Sequence, residues 1–243
     1  MHRSAMLTGQ CHKNSLREDT HYMITVSFNS NGGHRLREHE PHSLILACDF
    51  IVDDVDHMWR WIQGQREALA SIGTRYLVVY ASVWEPGRIL VTTGIRQQQS
   101  IERIVQSPKI FEWFDVAGLT DIPPIFGGEV VEKIDLADGS ATAPADAVVL
   151  GVIASVTDVT ALVARVHEAA GSFRTAGVRK VWIYRAFDDG QEVMILEEID
   201  SETNLRRWIE KPDAAAEWMS RAGLGAYPQM FVGRIAHLMT IDS

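Results

Sequence analysis

The chain has 243 residues, of which 46% are hydrophobic and 23% charged, as in a globular protein with one large domain or two ordinary ones. Its net charge of −9 disfavours nucleic acid and membranes as partners, because nucleic acid and anionic lipid attract basic surfaces. Only Cys11 and Cys48 are present, one in a polar and one in an apolar segment, so we expect no structural disulfide and a cytoplasmic protein.

Residues 1–43 form a mostly polar N-terminal extension without sustained periodicity. Its one strand-like run is 22–28, where apolar residues alternate with polar ones. The extension also contains a loose group of potential metal ligands: His34, Glu38, His39, Glu40 and His42. Their spacing fits no closed zinc pattern, so we predict a solvated extension and no metal site.

The first half, residues 44–135, alternates apolar runs of strand length with helical periodicity. Asp54 is placed to cap a helix that ends at Gly73, and Glu85-Pro86-Gly87 predicts a hairpin turn. Strands are predicted at 44–51, 75–84, 88–96 and 126–134, with helices at 54–73 and 100–118.

A linker of small and polar residues, 136–147, precedes the second half, residues 148–243. The second half repeats the order of elements. Thr157 or Asp158 caps its first helix, and Asp188-Asp189-Gly190 predicts its hairpin turn. Strands are predicted at 148–155, 181–187, 193–199 and 231–241, with a last helix at 204–223.

One sequence frame occurs twice in the chain. Glu-Trp, three variable residues and Ala-Gly-Leu begin at Glu112 and again at Glu217, and both copies continue to Pro, Phe and Gly at matching places. Upstream of these motifs the two copies still match, for example at Tyr80 and Tyr184, with an offset between the copies that is one residue shorter. A frame kept over roughly ninety residues indicates an internal duplication.

The order β-α-β-β-α-β is that of a ferredoxin-like unit, a four-stranded antiparallel sheet with both helices on one face. The strand at 148–155 is apolar on both faces, so the face without helices also needs a cover. We therefore predict an α+β fold in which two tandem ferredoxin-like units form one barrel, sheet against sheet with the helices outside.

The predicted helix of the first half reads Ser100-Ile101-Glu102-Arg103-Ile104-Val105-Gln106-Ser107-Pro108-Lys109-Ile110-Phe111. In these residues the chain resembles the dimeric α+β barrel superfamily, which includes antibiotic-biosynthesis monooxygenase-like and stress-responsive barrel proteins. The resemblance implies that one chain makes the barrel that two chains make elsewhere. Members with oxygenase activity often have a histidine in the second helix, but 100–119 and 204–224 contain none. We therefore expect no haem and no other cofactor.

The candidate catalytic residues are His237, Arg185 and Glu197, all in the second half. Strand alternation places His237 on one face with Ile235, and the other two residues lie in neighbouring predicted strands. Together these ionisable groups would line a pocket, although a satisfied ion pair in the core is the alternative. The first half has no matching cluster, so we predict the site in the second half.

The candidate ligand-binding residues are Trp182, Tyr184, Glu198 and Trp208, because aromatic side chains beside polar groups can line an apolar cavity. We expect a barrel that binds a small hydrophobic or aromatic molecule, either as a cofactor-independent monooxygenase-like enzyme or without catalysis. The alternative is a non-catalytic barrel with a role in interaction or assembly, and both hypotheses are compatible with a homo-oligomer.

Overall fold

The structure, a computed structural model, describes residues 44–96, 114, 123–137, 143–210, 223 and 229–241. The extension, the helix predicted at 100–118 apart from Phe114, and most of 204–223 beyond Glu210 lie outside these residues. The eight strands are β1 Leu44–Ile51, β2 Thr74–Ser82, β3 Arg88–Ile95, β4 Ile125–Asp135, β5 Val148–Ser155, β6 Val178–Ala186, β7 Glu192–Ile199 and β8 Met230–Thr240. They confirm all eight predicted strands, with small differences at the ends.

The described helices of at least six residues are α1 Val55–Gly64, α2 Arg66–Ser71, α3 Val159–Thr175 and α4 Glu202–Ile209. Asp54 caps α1 by accepting the backbone N–H of His57 at 2.9 Å. The single helix predicted at 54–73 is divided at Gln65, whose backbone leaves the helical region. Ser201 caps α4 by accepting the N–H of Asn204, so this helix begins two residues before the predicted start.

The eight strands form a closed barrel in the order β1-β3-β2-β8-β5-β7-β6-β4, and every neighbouring pair is antiparallel. Four strands of the first half are therefore adjacent in the order β4-β1-β3-β2, and four of the second half in the order β8-β5-β7-β6. Two further pairings, β2 with β8 and β4 with β6, close the barrel. The α+β prediction is confirmed, and the two predicted sheets form one continuous cylinder.

The side chains alternate between the inside of the barrel and a layer beneath the helices. All eight strands contribute to the inner cluster, which includes Ile45, Leu90, Phe126, Met194 and Phe231. Outside, α3 and α4 cover one apolar cluster, and α1 and α2 cover another. Among the described helices, none is long and apolar enough to cross a membrane.

Candidate functional site

A cavity of about 90 Å³ lies between the outer face of the first-half strands and the helices that cover them. Most of its lining side chains are aliphatic or aromatic, and the polar ones are few. They are Leu46, Ala47, Cys48, Phe50, Met58, Trp61, Ile62, Leu69, Ile72, Thr74, Leu77, Val91, Thr93, Phe114 and Ile125. A space of this composition favours an apolar occupant over water, because water needs several polar partners.

The local sequence explains how the helices come to line this cavity. In α1, Met58 and Ile62 are one turn apart and both face the barrel, as an amphipathic helix requires. The break at Gln65 turns the chain, so that α2 presents Leu69 to the same space. Gly73 then adopts a φ of 84°, which a residue with a Cβ rarely tolerates, and returns the chain into β2.

Four described lining residues carry a hydroxyl, a thiol or a ring N–H: Thr74, Thr93, Cys48 and Trp61. Thr74 is 1% exposed, and its Oγ1 has no hydrogen-bond partner among the described residues. Thr93 also lies on the wall. The Sγ of Cys48 lies 3.5 Å from the backbone oxygen of Pro124, and burial, reinforced by Asp49, raises the pKa of this thiol to about 12. Cys48 therefore stays neutral at physiological pH and is a poor nucleophile.

Bulky side chains lie in the equivalent layer of the second half. Thr93 pairs with Leu46 and Leu77, and in the same register Glu197 pairs with Leu150 and Val181. Leu69 precedes Gly73 in the first half, and Phe173 stands at the same distance before Gly177 in the second. The Phe173 side chain is the larger of the two and is 1% exposed. Trp208 packs edge-on against Phe173 with the ring centres 5.6 Å apart. The described lining of the cavity thus comes from the first half, where Leu69 stands at the place of the larger Phe173.

Glu197 is a buried carboxyl group in this layer of the second half. Its neighbours in β7 on the same face, Ile195 and Ile199, both belong to the apolar cluster beneath α3 and α4. The side chain is 6% exposed, and its Oε2 has no hydrogen-bond partner within the described part of the chain. Burial alone raises the pKa of this carboxyl to about 7. Glu197 is therefore neutral over most of the acidic pH range.

Known structures with the same arrangement of strands share the fold at low sequence identity. An anthrone oxidase-like protein superposes with a TM-score of 0.63 at 14% identity, over 84% of this chain and 95% of that one. A proposed chlorite dismutase gives 0.52 at 15% identity, over 81% and 96%. A proposed monooxygenase from Lactobacillus acidophilus gives 0.51 at 11%, over 82% and 96%. The chain has the dimeric α+β barrel fold. No family model and no curated protein matches it significantly.

In this dimeric α+β barrel fold, His237 faces the helices and not the inside of the barrel. A β-bulge shifts the register, so that Tyr80 pairs with Ile235 while the preceding Val79 pairs with His237. The extra residue reverses the alternation on which the prediction relied. The imidazole stacks on Trp59 with ring centres 4.8 Å apart, and its Nε2 lies 3.0 Å from Oδ1 of Asp56. His237 thus joins β8 of the second half to α1 of the first.

The other predicted site residues lie in three further places. Arg185 forms an ion pair with Glu129 of β4, and its side chain is 45% exposed. Glu198 faces the inside of the barrel near Tyr80 and accepts a hydrogen bond from Nε of Arg179 at 3.2 Å. Trp182 and Tyr184 also belong to the inner cluster, whereas Trp208 and Glu197 belong to the layer beneath the helices. The structure therefore does not bring the seven predicted residues together.

The residues of the cavity were not singled out from the sequence. Comparison of the two halves could have indicated these residues. The first half has Leu69, a smaller residue, at the place of Phe173, and Thr74, which has a hydroxyl, at the place of Val178. The metal group considered in the N-terminal extension lies outside the described residues. Within the described part, no cluster of three or more histidine, cysteine, aspartate or glutamate side chains is arranged for a metal ion.

Replacing His237 with alanine is expected to lower the free energy of unfolding by about 1–2 kcal/mol, because it removes the stack on Trp59 and the contact with Asp56. The matched control is His167→Ala, which removes the similar contact of His167 with Glu132 at 3.2 Å on the other side of the barrel. His167 is more exposed, so its loss should cost less. Equal losses in urea denaturation would show that the stack contributes nothing.

Proposed function

We propose that the protein binds a small apolar molecule, up to about one aromatic ring in size, in the cavity of the first half. The observation that carries this proposal is the cavity itself, which is lined mainly by apolar side chains, whereas Phe173 and Trp208 pack against each other in the equivalent layer of the second half. Because the second half buries the larger Phe173 ring where the first half has Leu69, the fold admits a larger side chain at this position and does not require the open space.

The size of the cavity limits the ligand. An apolar cavity of about 150 Å³ takes up benzene or xenon and otherwise stays dry. The cavity here, at about 90 Å³, is smaller, so a single ring enters only if a side chain moves. Met58 is suited to this, because the unbranched thioether side chain repacks readily. A haem does not fit this space, and the described lining includes no histidine or tyrosine that would ligate it.

The lining favours binding over catalysis. Oxidation of an aromatic molecule without a cofactor would need a base to activate the substrate, and the one titratable side chain on the described wall is Cys48, whose pKa is raised to about 12. The likeness to the anthrone oxidase-like protein supports an aromatic ligand. A monooxygenase-like reaction on that ligand is an extension of the proposal. Oxygen consumption in the presence of a bound ligand would establish that extension.

Filling the cavity should abolish binding. Leu69→Phe places in the first half the residue that the second half uses at the same position, so we expect a stable protein without measurable affinity for toluene. Leu69→Ile conserves the volume and should retain binding. Isothermal titration calorimetry of the wild type and both variants checks this. Failure of the wild type to bind benzene, toluene or xenon would contradict the proposal and favour the non-catalytic interaction role.

We also infer that the two halves, 44–135 and 148–243, are copies of one ferredoxin-like unit joined by the linker at 136–147. The matching strand orders β4-β1-β3-β2 and β8-β5-β7-β6 support this inference. So do two matching β-bulges, one between Ile235 and His237 in β8 and one between Val130 and Glu132 in β4. Each half would leave one face of its sheet uncovered. A stably folded, monomeric single half would contradict a core that the two units share.

A further inference from the structure

We propose that the hydroxyl of Thr74 selects the ligand, and that the cavity takes a neutral apolar molecule with one hydrogen-bonding oxygen, such as a phenol or an aromatic aldehyde or ketone. This inference rests on the proposed function, because it names the chemistry of the molecule that the cavity holds.

Thr74 is the one cavity residue whose polar atom is both buried and without a partner within the described chain. Its side chain is 1% exposed, and no described group donates to or accepts from Oγ1. A buried hydroxyl without a partner destabilises the folded protein, because it has lost its hydrogen bonds to water. A ligand oxygen in the cavity would replace the lost bond.

The fold does not need this hydroxyl. Thr74 opens β2 directly after Gly73, and in the second half Val178 opens β6 directly after Gly177, with the two glycines at φ values of 84° and 85°. Val178 is buried in the apolar cluster beneath α3 and α4. Valine has the shape of threonine without its hydroxyl, so the same position in the second half accepts an apolar side chain.

The wall sets the charge and the polarity of the ligand. A threonine hydroxyl both donates and accepts, so it pairs with a phenolic hydroxyl or with a carbonyl oxygen. The described lining contains no arginine, lysine, aspartate or glutamate, so an ionised ligand would lose its hydration without gaining a countercharge. Thr93 supplies a second hydroxyl on the wall, and the remaining lining is apolar apart from Cys48 and the ring N–H of Trp61.

The test compares phenol with toluene, which have nearly the same shape, in calorimetric titrations of the wild type and Thr74→Val. We expect the ratio of the dissociation constant for phenol to that for toluene to rise about tenfold in the variant, as expected for one lost hydrogen bond. Affinity for toluene should stay equal or improve, and the melting temperature should not fall. Thr74→Ser, which retains the hydroxyl, should keep the wild-type ratio.

Thr92→Val is the matched control, because the hydroxyl of Thr92 lies in the neighbouring strand but contacts Tyr80 inside the barrel. It should leave the ratio unchanged. If the wild type binds both molecules and Thr74→Val does not change the ratio, the role of Thr74 is wrong while the proposed function stands. If the wild type binds neither molecule, the proposed function itself fails. Should Thr74→Val not fold, an unchanged ratio in Thr74→Ala would equally overturn the inference.

Discussion

Replacing Glu197 with glutamine changes the free energy of unfolding, and we expect this change to be about 3 kcal/mol more stabilising at pH 8 than at pH 4. In the folded protein the carboxyl group has a pKa of about 7, against 4.5 for an exposed glutamate, because it is buried among apolar side chains. The folded protein therefore binds this proton more tightly than the unfolded chain does. The contribution of Glu197 to the free energy of unfolding is at its maximum below pH 4.5. It decreases as the pH rises towards 7, at about 1.4 kcal/mol per pH unit.

The measurement is urea denaturation of the wild type and Glu197→Gln at several pH values between 4 and 8. Subtracting the two curves removes the titration of all other groups, so the difference should grow from pH 4.5 to 7 and then level off. Glu210→Gln, at an exposed position at the end of α4, is the control and should give a much smaller change. A difference that does not depend on pH would show that Glu197 is paired or hydrated.

Replacing Phe173 with alanine is expected to lower the free energy of unfolding by about 3–5 kcal/mol. The ring is 1% exposed, projects from α3 into the apolar cluster between the helices and the strands, and contacts Trp208 edge-on. Its removal loses the free energy gained by burying the ring, and it leaves a new cavity. Thermal and urea denaturation give the loss, and benzene should partly restore the stability of the variant because it occupies the new space.

Leu69→Ala is the comparison for Phe173→Ala, because the two positions are equivalent. Leu69 already borders an unfilled space, so it makes fewer contacts and its truncation should cost less, about 2–3 kcal/mol. If Leu69→Ala costs as much as Phe173→Ala, the first half is packed as tightly as the second, and the cavity does not exist in solution.

The strands were predictable because their signals are local. Runs such as Val148–Ser155, bounded by turn residues, and the hairpin turn at Gly87 specify strands without knowledge of distant contacts. The closed barrel followed from one physical condition, that a sheet which is apolar on both faces must be covered on both. The division of the first helix at Gln65 was missed, since it depends on how α2 packs against β2 and not on a strong breaker such as proline.

The candidate site was harder to predict, because it depends on single-residue shifts and on volume. Glu197 and Glu198 are adjacent in β7, so alternation alone places them on opposite faces of the barrel, and they cannot share a pocket. The bulge next to His237 has no clear sequence signature. Leu69 beside the cavity is smaller than Phe173, and a difference of this kind acquires meaning only when both residues are known to occupy equivalent places.

The central claim is that the first-half cavity is a binding site for a small apolar molecule, and a crystal structure of the protein soaked with phenol tests it most directly. We expect electron density for the ring between β2 and the helices α1 and α2, beside Met58 and Leu69, with the phenol oxygen within hydrogen-bond distance of Thr74 Oγ1. An empty cavity at saturating phenol, or density beside Glu197 or His237 in its place, would contradict the claim.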